Sequence, residues 1–280
     1  MIIWLASYPK SGNTWLRSII CSLIYSKDGK FNFNLLDNIK QFPVASQFEN
    51  FTKNLTDLDE IKKYWIQCQN LLNLDGKLKF YKTHHINCKI DNYSFTNSKN
   101  TLATIYIIRD PRNLVNSIAN HYSKSIEEAK EFLLTPRINI GHNKYDVENK
   151  KVLPVLIGKW QEHYYFWKKN NENFHLIKYE DLILNPEQEL NKIIIFLKNF
   201  MNIETNAIKN RNILESTNFE NLRSLEDKGK FKENAFENKE RKKNFFYLGP
   251  KNDWKKLLNE NIRQEIENKL SNEMKELGYL

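Results

Sequence analysis

Three short stretches carry side chains whose types and spacing can do chemistry. Lys10 and Gly12 share a tight polar loop, Ser7-Tyr8-Pro9-Lys10-Ser11-Gly12-Asn13-Thr14-Trp15, punctuated by Pro and Gly. Lys82 and His84 stand two apart in Leu78-Lys79-Phe80-Tyr81-Lys82-Thr83-His84. Side chains of a strand alternate, so this spacing puts Lys82 and His84 on one side and Tyr81 and Thr83 on the other. A cation beside an imidazole suits general-base work next to an anion. Arg109 and Ser117 stand eight apart and can converge on one phosphate, the arginine as a bidentate donor and the serine through its hydroxyl. Each stretch also has a plainer reading. These are an ordinary strand-to-helix turn, an exposed strand tip with an incidental His84-His85 pair, and a surface arginine at a strand end.

The elements around these residues follow from apolar patterning. Ile2-Ile3-Trp4-Leu5-Ala6 is an apolar run of strand length, and Trp15, Leu16, Ile19, Ile20, Leu23 and Ile24 recur at helical spacing. A strand, a glycine-bearing loop and a helix make an anion site, because the amides and dipole of the helix's first turn point into the loop. It is not the loop of ATP- and GTP-binding proteins, which needs two glycines with Lys and Ser/Thr after the second; here Lys10 precedes the loop's only glycine. Thr101 to Ile108 is an apolar run of eight, suited to a central parallel strand. Asp110 then stands at a helix cap with Pro111 in the first helical position, Leu114, Val115 and Ile118 turned inward, and Asn113 and Ser117 one turn apart on another face. Leu156, Trp160, His163 and Trp167 read as one helix face, His163 being a satisfied core histidine rather than a catalyst. A strand over Phe174 to Tyr179, a helix built on Leu190, Ile193, Ile194 and Leu197, and a final helix carrying Ile262, Ile266, Leu270 and Met274 complete the pattern.

At 280 residues the chain suits one large α/β domain, or at most two small ones. It holds no apolar run long enough to span a membrane. Pro9 and Lys10 interrupt the first apolar run, so no cleavable leader is read and a cytoplasmic location is the default. Cys21, Cys68 and Cys88 are odd in number and form no C-x-x-C pair, which fits reduced thiols. A net charge of +9 favours anionic ligands without choosing among nucleotide, nucleic acid and membrane surface. Residues 26–77 and 123–151 carry no interpretable motif, the latter reading as a substrate-side excursion. The charged stretch 218–252 is too long for an ordinary connection and reads as a lid or flexible segment.

Tyr8-Pro9-Lys10-Ser11-Gly12-Asn13-Thr14-Trp15 resembles the phosphosulfate loop of cytosolic-type sulfotransferases, Y-P-K-S-G-T-T-W. Seven of its eight positions agree, with Asn13 in place of the first Thr. Lys82-Thr83-His84 matches the family's K-T-H segment, Tyr106 to Ser117 its 3′-phosphate segment with Arg and Ser eight apart, and Tyr179-Glu180-Asp181 its Y-E-D. Thr217-Asn218-Phe219 resembles T-S-F, with Asn218 replacing Ser. Phe245 to Trp254 lines up with F-x-R-K-G-x-x-G-D-W, but Tyr247 and Leu248 stand where the family has Arg-Lys, while Gly249, Asp253 and Trp254 remain. Arg241, Lys242 and Lys243, just upstream, read either as substitute charge or as a solvated basic run.

The resemblance implies a single α/β domain over residues 1–280: a central, mostly parallel sheet flanked by helices, with a P-loop-like phosphosulfate-binding loop after the first strand. It implies sulfuryl transfer from 3′-phosphoadenosine 5′-phosphosulfate (PAPS), with 3′,5′-adenosine bisphosphate (PAP) as product and no metal. The implied catalytic set is His84, Lys10, Lys82 and Ser117. The implied cofactor-binding set is Lys10, Ser11, Gly12, Asn13, Thr14, Trp15, Arg109, Ser117, Tyr179, Thr217, Phe219 and Gly249. His84 would take the acceptor's proton, an imidazole's ordinary pKa near 6.5 suiting a base at neutral pH. The acceptor is a small molecule, sugar, lipid or phenol. No nucleic acid partner is expected, and the oligomeric state is open. Two other classes stay open: a nucleotide-dependent kinase, disfavoured by the Lys–Gly order, and a non-catalytic polyanion or nucleic-acid binder, motivated by the positive charge.

Overall fold

Ile2–Ala6 (β1) is apolar at every position, and all five residues are buried. A strand with no polar face is stable only where both faces are covered and both edges paired. The computed structural model, which describes residues 1–140, 153–231 and 244–280, places it so. With Lys40–Gln41 (β2), Lys79–Thr83 (β3), Thr101–Ile108 (β4) and Phe174–Lys178 (β5), it forms a sheet in the order β2-β3-β1-β4-β5. β1 runs parallel to β3, Ile2 opposite Lys79 and Ala6 opposite Thr83, and parallel to β4, with Ala6 opposite Tyr106. The architecture is α/β with a central parallel sheet flanked by helices.

The chain forms two compact units: residues 1–8, 40–106 and 135–174, and residues 9–39, 107–134 and 175–280. In the first, the Trp4 ring lies 5.7–6.2 Å from the rings of Phe42, Tyr81, Phe95 and Trp167, and its Nε1 donates to Thr101 Oγ1 at 2.8 Å. Phe42 and Phe48, within the motif-free stretch 26–77, are core residues. Between β2 and β3 the chain forms a helical turn, Leu58–Ile61 (α1), a 3₁₀ turn at Lys62–Tyr64 and a helix, Trp65–Leu72 (α2).

Burial alternates past the end of β3: Tyr81, Thr83 and His85 are buried, while Lys82 and His84 are half-buried. His85 stacks on Phe95 with centroids 4.2 Å apart and meets Trp65 edge-on. His163 lies on the helix Trp160–Lys169 (α3), Nδ1 2.8 Å from Tyr106 Oη and Nε2 3.1 Å from the His84 carbonyl. One turn on, Trp167 Nε1 donates to the His85 carbonyl at 2.9 Å. This face does not begin at Leu156, which belongs to the short strand Pro154–Leu156.

In the second unit, Asn13–Tyr25 (α4) follows the loop and Pro111–Tyr122 (α5) follows β4. Asp110 caps α5 by accepting from Arg112 N at 2.9 Å, and Pro111 is its first residue. The stretch read as a lid contains a helix, Phe219–Asp227 (α6), capped by Asn218; residues 232–243 lie outside the described residues. The final apolar stripe is divided at Leu270 into Glu260–Lys269 (α7) and Ser271–Glu276 (α8), with Ile262, Ile266, Leu270 and Met274 all buried. Among the described residues no helix is long and apolar enough to cross a membrane.

Burial holds His85 and His163 neutral, pushing each from an ordinary value near 6.5 down to about 3. Below pH 6.5 the unfolded chain binds protons that the folded chain refuses. Their contribution to stability is therefore complete above about pH 6.5 and falls as pH drops toward 3. Each histidine adds about 1.4 kcal/mol per pH unit to the slope. Urea titrations at pH 5, 5.5 and 6 are expected to show a His85→Gln slope shallower by about that amount, whatever the variant's stability at neutral pH.

Candidate active site

The loop after β1 is built to bring backbone close to a ligand. Lys10 and Gly12 both take left-handed backbone, φ +67° and +104°. At Gly12 a Cβ would lie 2.6 Å from Tyr179 Cδ2, so the position excludes side chains by space as well as by φ. Gly12 also caps α4 without any side-chain hydrogen bond, and no acidic residue stands in the first turn. Gly12 has no side chain with which to cap the first-turn amides. Ser11 is fully buried, its hydroxyl without a partner. Asn13 and Thr14 are buried; Trp15 is half-buried. The Lys10 ammonium sits 3.6 Å above the centre of the Phe245 ring.

The two arginines of Arg109-Asp110-Pro111-Arg112 have opposite fates. Arg112, 4% exposed, pairs with Asp110 at 2.7 Å and with Glu267 at 2.6 Å. It also donates to the Tyr279 carbonyl and lies on the Trp254 ring. Arg109, 6% exposed, has no carboxylate within ion-pair distance among the described residues. It reaches Ser117 Oγ at 3.2 Å and the Lys10 carbonyl at 3.5 Å, lies 4.1 Å from the centre of the Tyr179 ring, and leaves Nε without a partner. A buried guanidinium without a counter-charge is costly. Its position beside the loop's left-handed turn makes an anion the natural counter-charge.

Tyr179 holds this cluster together. Its ring is met edge-on by Trp15 at 5.4 Å, covered by Arg109 and approached by the backbone of Gly12. Burial raises its hydroxyl's pKa above the ordinary range. The structure thus joins Lys10, Gly12, Trp15, Arg109, Ser117 and Tyr179. Thr217 does not join them: it is fully buried and its hydroxyl donates to the Ile213 carbonyl at 2.7 Å, a bond within its own helix. Phe219 and Gly249 form a separate pair, since a Cβ on Gly249 would lie 2.4 Å from the Phe219 ring. Tyr247 is 45% exposed, and its carbonyl accepts from Arg223 at 3.0 Å. Arg241, Lys242 and Lys243 lie outside the described residues.

In the first unit, His84 Nδ1 lies 2.8 Å from the Ser7 carbonyl and 3.2 Å from Ser7 Oγ. A carbonyl only accepts, so the ring hydrogen belongs on Nδ1 and the basic lone pair on Nε2. The backbone is fixed too: its carbonyl bonds His163, and the next amide donates to Thr83 Oγ1 at 3.0 Å. Lys82, opposite Leu5 in the sheet, is half-buried. Ser7, His163 and Asn252, which bonds Ser117, carry parts of the arrangement that motif reading did not assign. For Asn252 the signal was its departure from the glycine of the motif.

Replacing Arg109 by Met removes the buried charge while keeping an apolar stem. The variant is expected to melt at or above the wild-type temperature without ligand, and to lose the upward shift that inorganic sulfate gives the wild type. Thermal melts with and without sulfate check both halves.

A family model described as the sulfotransferase domain matches residues 2–278. The guinea-pig (Cavia porcellus) 3-beta-hydroxysteroid sulfotransferase is 26% identical over 196 residues, covering 68% of this chain and 56% of that protein. Cytosolic sulfotransferase 15 of Arabidopsis thaliana is 27% identical over 234 residues, 79% of this chain and 58% of that protein. The chain thus spans little more than half the length of these curated relatives. Among solved structures, a mouse sulfotransferase complexed with PAP superposes with a TM-score of 0.54 at 20% identity, over 97% of this chain and 83% of that one. Retinol dehydratase in complex with androsterone and inactive cofactor PAP superposes with a TM-score of 0.61 at 15% identity, over 98% and 80%. These likenesses carry the fold, and the match to the family model carries the membership: the chain belongs to the sulfotransferase-domain family.

Proposed function

We propose that this chain transfers a sulfuryl group from PAPS to the hydroxyl or amine of a small-molecule acceptor, with PAP as the second product. The observation that carries the reading is Arg109, a buried guanidinium beside Ser117 with no carboxylate in reach among the described residues. A 3′-phosphate supplies the missing charge, and that group separates this cofactor from ADP and ATP. The orphaned Ser11 hydroxyl and the glycine-capped N-terminus of α4 suit the 5′ side of the same molecule. Trp15, half-buried, offers aromatic surface to its base, and Tyr179 braces it edge-on.

When bound, PAPS supplies an activated sulfuryl group, and the electron pair of the broken S–O bond departs with the 5′-phosphate oxygen. Lys10 is assigned to the charge growing on that oxygen, and Lys82 to the sulfuryl oxygens. His84 Nε2, basic because Nδ1 carries the hydrogen, takes the proton from the acceptor as its oxygen or nitrogen bonds to sulfur. As in phosphoryl transfer, positioning and charge stabilisation carry most of the acceleration. The named relatives include steroid sulfotransferases and one structure holds androsterone, which favours a hydroxyl-bearing lipid or alcohol among the acceptors to screen first.

Calorimetry with PAP, ADP and ATP tests the cofactor. Wild type is expected to bind PAP well above the other two and Arg109→Ala to lose that preference; equal binding of all three would sink the reading. For the base, His84→Ala should lower turnover at least a hundredfold while PAP affinity stays within about twofold. Near-normal turnover in that variant would remove His84 from the mechanism.

A further inference from the structure

Ser117 is a helical serine that does not behave like one. Mid-helix Ser and Thr hydroxyls commonly donate to the carbonyl four residues back, and three in this chain do: Ser18 to Thr14, Ser216 to Asn212 and Thr217 to Ile213, at 2.6–2.8 Å. The corresponding carbonyl for Ser117 is that of Asn113. Its position outside the helix ladder is taken by Asn252 Nδ2 at 2.7 Å. The same Nδ2 lies 3.1 Å from Ser117 Oγ, and Arg109 Nη1 donates to that oxygen at 3.2 Å.

A hydroxyl has two acceptor positions and one hydrogen. Two donors fill the acceptor positions of Ser117, and its usual acceptor is occupied. Its hydrogen is left to be donated elsewhere, and Ser117 is only half-buried. The Asn252 amide cannot be turned over, because the Asn113 carbonyl accepts and never donates. That orientation leaves Asn252 Oδ1 buried without a partner in a side chain that is 5% exposed. An orphaned buried oxygen opposes stability, so this arrangement does not serve the fold alone.

We infer that Asn252 is a specificity-determining positioning residue. By blocking the helical back-bond of Ser117, it turns that hydroxyl into a hydrogen-bond donor for the 3′-phosphate of the cofactor. This rests on the cofactor reading above. It also gives this chain a donor where Tyr247 and Leu248 replace a charged pair, and it explains an asparagine at a position where the family motif has glycine.

The test compares PAP with 5′-AMP, which lacks the 3′-phosphate, by calorimetry on the full chain. Asn252→Ala and Ser117→Ala are each expected to weaken PAP binding about tenfold, the effect of one lost hydrogen bond to a charged group. Binding of 5′-AMP should stay within about twofold, and the double variant should be no weaker than Ser117→Ala alone. Asn252→Asp keeps the shape but offers an oxygen in place of the NH₂ group, and should lose more than Asn252→Ala. The thermal midpoint of Asn252→Ala should equal or exceed that of wild type. Equal losses for PAP and 5′-AMP, or additive losses in the double variant, would overturn the inference. A wild type without preference for PAP over 5′-AMP would instead overturn the cofactor reading, and this one with it.

Discussion

Everything near the proposed base depends on the register between β1 and β3. Ala6 opposite Thr83 brings the chain that follows each strand side by side, so that Ser7 N meets the Thr83 carbonyl at 3.3 Å and the Ser7 carbonyl meets His84. A slip of one residue would turn Lys82 and His84 into the core and expose Tyr81 and Thr83. The slip is prevented by packing, because Tyr81 lies against Trp4 and His85 against Phe95 and Trp65. Aromatic burial sets the register, and the register sets which histidine enters the core and which stays half-buried. His85 serves the core with its ring neutral, while His84 keeps a defined tautomer.

The second unit divides charge between stability and binding. Arg112 and Arg109 lie three residues apart and are almost equally buried, yet only Arg112 has carboxylates. Asp110, between them, caps α5 and holds Arg112, while its own amide is held by Glu180 at 3.0 Å. Glu180 is half-buried, its partial desolvation raises its pKa, and it accepts from Tyr279. The acids of this neighbourhood are thus engaged by Arg112, by backbone and by a tyrosine. Arg109 is left with neutral partners. Among the described residues around α5, Arg109 is the buried cation for which no carboxylate lies within ion-pair distance.

Much of this was legible in the sequence because it is local. The loop at Tyr8–Trp15, the apolar run of β4, the Asp110 cap with Pro111 and the core role of His163 all rest on contiguous residues or a single period. Misreadings came where one period was carried across a break. Leu156 lies in phase with a helix that starts only at Trp160, and the last stripe keeps one period although the chain turns at Leu270. Thr217 was assigned by motif, and only the structure shows its hydroxyl bonded within its helix. The contact of Asn252 with Ser117 joins residues 135 apart, and no periodicity announces such a pairing.

The two side chains of α3 that grip the carbonyls of His84 and His85 are a turn apart on a regular helix, not members of a loop. Helix geometry, with its fixed rise per residue, therefore sets the height of the proposed base above the sheet. Surface loops in the same unit can lengthen, shorten or change character without retuning that height, provided the His163–Trp167 spacing survives. A protein built this way can rewrite its loops while the proposed base stays where it is. In evolutionary terms, the position of the base and the character of the loops are separately adjustable.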